Sequence, residues 1–209
     1  MNILDEKAKS RAHFKALRSE ICKSEHISAS YATCQYVAEL LPQLKLESCA
    51  IYHPISSELS PLMLHELLPH LKCLLPYLHH HNTPHHEIMS HTQEMSYTQE
   101  MSFSELSGGE LDNQLVQGKY RIMQPAHHSP FIPQAIITPL LAIDANGTRL
   151  GYGGGYYDRY FAIHPNILRI GIGFYTQLTN SLPCEPHDAK LHYFICERGV
   201  INFNRGLES

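Results

Sequence analysis

The stretch Arg149-Leu150-Gly151-Tyr152-Gly153-Gly154-Gly155-Tyr156-Tyr157-Asp158-Arg159 decides the reading of this 209-residue chain. Four glycines fall within five positions, so the backbone can enter left-handed conformations and approach a ligand closely. Just before it, Ala135 to Ile143 is an apolar run that reads as buried strand. Just after it, Tyr156 to Ala162 reads as the first turns of a helix. A strand, a glycine loop and a helix start offer backbone N–H groups to an anion. Arg149 and Arg159 flank the loop with positive charge, and Asp158 offers a carboxylate to a metal. The local reading is a phosphate-binding loop with a cation site. Neither G-x-x-x-x-G-K-[ST] nor G-x-G-x-x-G is present, because Tyr156 stands where the third glycine of the second pattern belongs. A glycine-rich turn with no ligand is the alternative.

Outward from the loop, composition sets the bounds. The length favours one domain, and 43% hydrophobic residues supply a full core. A net charge of −4 argues against a general nucleic-acid binder. Cations that meet phosphate must therefore be concentrated locally. The six cysteines are scattered, with no C-x-x-C pair. Met1 to Ser10 is polar and lacks the features of a secretory signal, and no apolar run approaches membrane-spanning length. The expectation is a cytoplasmic protein with reduced thiols and no membrane or nucleic-acid partner.

Residues 5–23 read as a helix with an apolar stripe at Phe14, Leu17 and Ile21 and a basic stripe at Arg11, Lys15 and Arg18. Ser28 or Ser30 would cap a second helix ending at Pro42. Strands are expected at Cys49–Tyr52 and Cys73–Leu78, with a helix from Pro61 to His70 between them. That alternation implies a βαβ unit, a parallel sheet, and ligands at the carboxyl ends of strands. Glu58 lies near one such end. Further strands are expected at 167–174 and 191–196.

Residues 79–106 are compositionally distinct. His79-His80-His81 and His85-His86 precede a hexapeptide that recurs from Met89, Met95 and Met101. The period is too short for helical solenoids and the copies too few for a β-helix. The segment reads as an expanded surface hairpin or loop, with adventitious transition-metal affinity at its histidines.

The run Pro139-Leu-Leu-Ala-Ile-Asp144, continued through Gly147-x-Arg149 to Arg159, resembles the signature of the 5-formyltetrahydrofolate cyclo-ligase family, also called 5,10-methenyltetrahydrofolate synthetases. Glu185-Pro186-His187-Asp188 is similar to its second motif. Ala16-Leu17-Arg18 resembles its ATP-contacting N-terminal helix, and Pro54 to Glu58 its folate-side loop. The resemblance runs from about Phe14 to Ile201.

It implies an α/β fold: a three-layer α/β/α sandwich with a mostly parallel central sheet, of the ribose-5-phosphate isomerase and CoA-transferase type. One domain would span 1–209, with an insertion at about 79–106. The implied activity converts 5-formyltetrahydrofolate and MgATP to 5,10-methenyltetrahydrofolate, ADP and phosphate. By the same resemblance Phe14, Lys15, Ala16, Leu17 and Arg18 would contact ATP, together with Arg149, Leu150, Gly151, Tyr152, Gly153, Gly154, Gly155, Tyr156 and Tyr157. Arg149 and Tyr157 would be catalytic, and Asp158 and Asp188 would hold Mg2+. His53, Glu58 and the run Tyr152 to Tyr156 would face the folate. A monomer or weak homodimer is expected. The family has a basic residue where Phe14 stands and an apolar one at His53. The competing readings are a non-catalytic nucleotide-binding module of this fold, a His-rich metal-binding protein, and a sugar-phosphate isomerase of related fold.

Overall fold

The computed structural model describes residues 2–79, 100–106 and 111–204. His80, His81, His85, His86, the first hexapeptide copy and the second as far as Gln99 lie outside the described residues. In chain order the elements are α1 (Ile3–Ser19), α2 (Lys23–Gln43), β1 (Ser48–Ala50), α3 (Leu64–Leu67), β2 (Lys72–Leu78), β3 (Met101–Glu105), β4 (Leu115–Gln117), β5 (Met123–Pro125), β6 (Ala135–Thr138), β7 (Ala142–Asp144), β8 (Arg149–Leu150), α4 (Tyr156–Ile163), β9 (Leu168–Ile172), β10 (Leu178–Thr179), β11 (Tyr193–Cys196) and β12 (Gly199–Asn202).

The main sheet has seven strands in the order β12-β11-β9-β6-β1-β2-β3. The five inner strands are parallel, and β3 and β12 are antiparallel edges. The inner strands are buried on both faces, which is why 135–138 and 168–172 read as nearly unbroken apolar runs. Alternate residues divide between the faces. Val37 and Leu41 of α2 pack with Cys49, Leu75, Ile137 and Ile172 on one side. Tyr160 and Phe161 of α4 pack with Ala50, Leu74, Phe103 and Ile136 on the other. The result is the expected α/β sandwich with a mostly parallel sheet. No described helix is long and apolar enough to cross a membrane.

Four local expectations change. Helix α2 begins at Lys23 after Cys22, not at a serine cap, and Ser28 lies inside it with its hydroxyl donating to the Glu25 carbonyl at 3.0 Å. The helix expected over 61–70 shrinks to the single turn of α3. The third hexapeptide copy is a buried strand antiparallel to β2, not a surface element. Met101–Glu105 is β3, paired with β2 in the register Leu78↔Met101 to Leu74↔Glu105, with its first four residues buried. An insertion reaching to 106 would thus take in an edge strand of the sheet.

The fourth change moves the glycine loop. The run 135–143 is not one strand. It divides at Pro139, which has no N–H to continue a ladder. β6 belongs to the main sheet, whereas β7 joins a second sheet in the order β10-β7-β8. The freed Leu140 and Leu141 carbonyls accept from Gln177 Nε2 at 2.8 and 2.9 Å. The glycine loop leaves from β8, on this smaller sheet.

Candidate active site

A cleft of about 1100 Å³ opens beside the ends of β2 and β3, where four further segments bring polar side chains together. They are the first turns of α1, the loop after β1, the glycine loop with the start of α4, and residues 185–188. Within the loop, Gly153 has φ +100° and Gly155, the N-cap of α4, has φ +66°. Such angles strain any residue with a Cβ. A Cβ on Gly153 would also meet the Arg11 guanidinium carbon at 3.4 Å. Arg11 Nε donates to the Gly151 carbonyl at 3.0 Å, so α1 braces the loop.

Four cationic side chains, Lys7, Arg11, Arg149 and Arg159, line the cleft beside the loop. Lys7 Nζ lies 2.8 Å from Glu185 and 2.6 Å from Asp188. Burial pulls the Lys7 ammonium down, but the two carboxylates outweigh it and its pKa ends raised. Burial pushes Asp188 up, and the Glu185 backbone N–H and Lys7 together bring it below the ordinary carboxylate value. Asp158 is held by Arg149 and also accepts from the Ala189 N–H at 3.3 Å. That bond ties the 185–188 loop to α4, so Asp158 and Asp188 share the cleft despite their separation in sequence.

Glu58 is 3% exposed. Its Oε2 accepts from the Ile55 N–H at 2.9 Å, while its buried Oε1 has no hydrogen-bond partner among the described residues. Burial raises its pKa, opposed by the Ile55 N–H, by Arg18 and by the Tyr152 hydroxyl. A buried carboxylate with an idle oxygen is costly unless a ligand supplies a donor. Tyr157 stacks on the Arg149 guanidinium at 5.5 Å. Burial, then the Glu58 charge, holds its hydroxyl protonated well above the usual range. His53 and Tyr152 to Tyr156 line the same cleft.

The N-terminal contacts differ from expectation. Phe14 is buried against Leu141, Ala142 and Leu150 with Leu17 packed beside it, and Lys15 and Ala16 are exposed away from the cleft. Arg18 is buried, bonding Ser57, the Leu140 carbonyl and the Tyr152 hydroxyl. The helix instead presents Leu4, Lys7 and Arg11. Lys7 and Arg11 sit at i and i+4, one face of a helix, and that spacing was the available signal. Glu185 was likewise missed as a cleft carboxylate.

The oxygen donors suit Mg2+, which takes one or two carboxylates and keeps several waters. Asp188 and Glu185 offer oxygens within 4.8 Å of each other and of a His187 nitrogen, and Asp158 adds a carboxylate from α4.

Comparison with known proteins identifies the family and the fold. A 5-formyltetrahydrofolate cyclo-ligase of Haemophilus influenzae is 24% identical over 190 residues, covering 87% of this chain and 92% of that protein. The one of Saccharomyces cerevisiae is 31% identical over 96 residues, less than half of either chain. An Aquifex aeolicus 5,10-methenyltetrahydrofolate synthetase structure superposes with a TM-score of 0.72 at 23% identity, covering 94% of this chain and 92% of that one. The corresponding Mycoplasma pneumoniae structure gives 0.65 at 20%, covering 92% and 99%. At such identities the structures establish a shared fold. The sequence profile described as the 5-formyltetrahydrofolate cyclo-ligase family matches residues 3–197, from about three helical turns ahead of Phe14 and through both cleft motifs, and the chain belongs to that family.

Proposed function

We propose that the cleft binds ATP beside 5-formyltetrahydrofolate and closes the folate to 5,10-methenyltetrahydrofolate, releasing ADP and phosphate. The observation that carries this is the pairing, in one cleft, of a braced glycine loop among four cations with a buried carboxylate whose Oε1 lacks a donor. The first suits phosphates. The second suits the N–H groups of a flat heterocycle such as the pterin.

The formyl oxygen of an amide is a poor leaving group. Its attack on the γ-phosphorus breaks the bond to ADP and makes it a good one. The folate nitrogen at position ten then adds to the formyl carbon, loses its proton, and expels phosphate carrying the former formyl oxygen. Such chemistry needs positioning and charge neutralisation more than a protein nucleophile. Loop N–H groups, Lys7, Arg11 and Arg149 neutralise the phosphates. The raised pKa of Tyr157 keeps it a hydrogen-bond donor throughout, and Glu58 orients the heterocycle. Asp188, Glu185 and Asp158 are the residues that would hold Mg2+, which when bound supplies further neutralisation of phosphate charge. The free thiols suit the reducing cytoplasm.

The test follows the methenyl product by absorbance with purified protein. Product should require both ATP and the formylated folate. Equal turnover without ATP would reject the proposal, and nucleotide binding with no folate-dependent ADP release would leave a non-catalytic module.

A further inference from the structure

At the edge of the main sheet, off the cleft, two histidines from separate segments meet on one hydroxyl. His79 Nε2 lies 3.0 Å from Ser102 Oγ, and His128 Nε2 lies 2.8 Å from the same oxygen. Strand alternation explains the placement. Pro76, Leu78 and Met101 line the cleft, so Tyr77, His79 and Ser102, one step along, face the other way. The Ser129 N–H donates to Ser104 Oγ at 3.2 Å, and the Phe131 N–H to the Phe103 carbonyl at 2.9 Å. These bonds lay the segment carrying His128 along β3. The Tyr77 ring sits 4.4 Å from that of His128 and 5.3 Å from that of His79. The two imidazoles are 4.9 Å apart and nearly perpendicular.

A serine hydroxyl has one proton, so it donates to one imidazole and accepts from the other. One such bond would suffice to pin the loop. Two ring nitrogens aimed at one point, braced by an aromatic ring, match the needs of a metal. We propose that His79 and His128, with Ser102, bind a divalent d-block cation of the Zn2+, Ni2+ or Cu2+ kind at a site separate from the catalytic cleft. Imidazole suits these ions and not Mg2+. Two histidines with the hydroxyl and a water complete a four-coordinate shell. The ion would join the end of β2 to the 128–131 segment across the edge strand.

The experiment uses full-length protein without an affinity tag, titrated with Zn2+ and Ni2+ by calorimetry and followed by thermal unfolding. One variant is His128→Gln. A second replaces His80, His81, His85 and His86 with Asn, since that tract competes for the same ions. Wild type should take up one tight equivalent and melt higher with metal. His128→Gln should lose both effects and keep its turnover, while the tract variant keeps both. Loss in both variants still assigns His128 as a ligand. No tight equivalent in wild type, or its retention in His128→Gln, overturns the proposal. Should His128→Gln not fold, substoichiometric Cu2+ added to wild type must broaden the amide resonances of Tyr77, Ser102 and Ser129. Broadening confined to other residues overturns it equally.

Discussion

Arg149 and Asp158 meet across the start of α4, with Arg149 Nη2 3.0 Å from both carboxylate oxygens. The Arg149 side chain is 5% exposed and that of Asp158 20%. A cation beside the glycine loop is therefore already paired before any phosphate arrives.

Asp158→Asn keeps the shape of this contact and removes its charge. The apparent Mg2+ requirement should rise and turnover fall. Titrating Mg2+ against turnover at fixed ATP measures both. A changed melting temperature with an unmoved titration would leave Asp158 as a partner of Arg149 and Ala189 alone.

Glu58→Gln should raise the KM for the formylated folate roughly ten- to hundred-fold, the equivalent of one charge-assisted bond of about 1.5–3 kcal/mol, with the KM for ATP little changed. It also carries a pH signature. Glu58 is an acid whose folded pKa is raised, so its contribution favours the fold at low pH and is lost as pH rises through the folded value. The variant should match wild type below about pH 4 and melt progressively higher than wild type above it. Parallel melting curves across that range would reject the buried, ionising carboxylate.

Lys7→Met removes a cation from between Asp188 and Glu185. Breaking a fully buried pair costs about 3–5 kcal/mol; with both carboxylates partly exposed, about 1–3 kcal/mol is expected. The folded pKa of Asp188 is depressed, so the stabilisation it gains from Lys7 is present above the ordinary value of 3.8 and lost as pH falls through the folded one. Denaturant melts should show wild type ahead at pH 7 and the gap narrowing in acid. A gap that persists unchanged at pH 2 would mean the loss comes from packing. Use of ATP should fall about tenfold or more.

Gly153→Ala forces a Cβ onto a left-handed backbone and against Arg11. The conformational strain is about 1–2 kcal/mol. Because the contact falls on the residue that braces the loop, the loss in kcat/KM for ATP should exceed the loss in stability. Equal wild-type kinetics would show that Arg11 does not set the loop.

Deleting Met89 to Glu94 should preserve cooperative unfolding and most turnover, given the shallow entropic cost of changing loop length. Deleting Met101 to Leu106, the same length and with the same Met-Ser start, should abolish the folded state, since it removes the edge strand and Phe103 from the core. Circular-dichroism melts of the two deletions separate the cases.

What could be read from sequence follows from where the information is local. Glycines at 151–155 and an apolar run before them signal strand, loop and helix without reference to the rest of the chain. The parallel sheet was legible for the same reason. The division at Pro139 was visible as a residue, yet the apolar residues on both sides are buried in different sheets, and hydrophobicity does not record which. β3 was hidden by its own repetition: Met101, Phe103 and serines 102 and 104 alternate as a strand does, but resemblance to the preceding copies drew attention to the period of six. In α1 the charges lie on more than one face. Docking of Phe14 against the small sheet selects Lys7 and Arg11 for the cleft, and that choice belongs to tertiary packing.

The Gln177 amide holds both carbonyls at the place where the chain passes from one sheet to the other, and Arg18 Nη1 adds a third bond to Leu140 at 3.3 Å. A crossing of this kind would otherwise be a hinge. Riveted on two sides, it gives the glycine loop a stiff mount, so breathing of the cleft falls to α1 and to the loop's own glycines. Amide exchange should then divide sharply along a short piece of chain, slow at Leu141, whose N–H is held by Leu150 at 2.8 Å, and fast at Gly153 and Gly154.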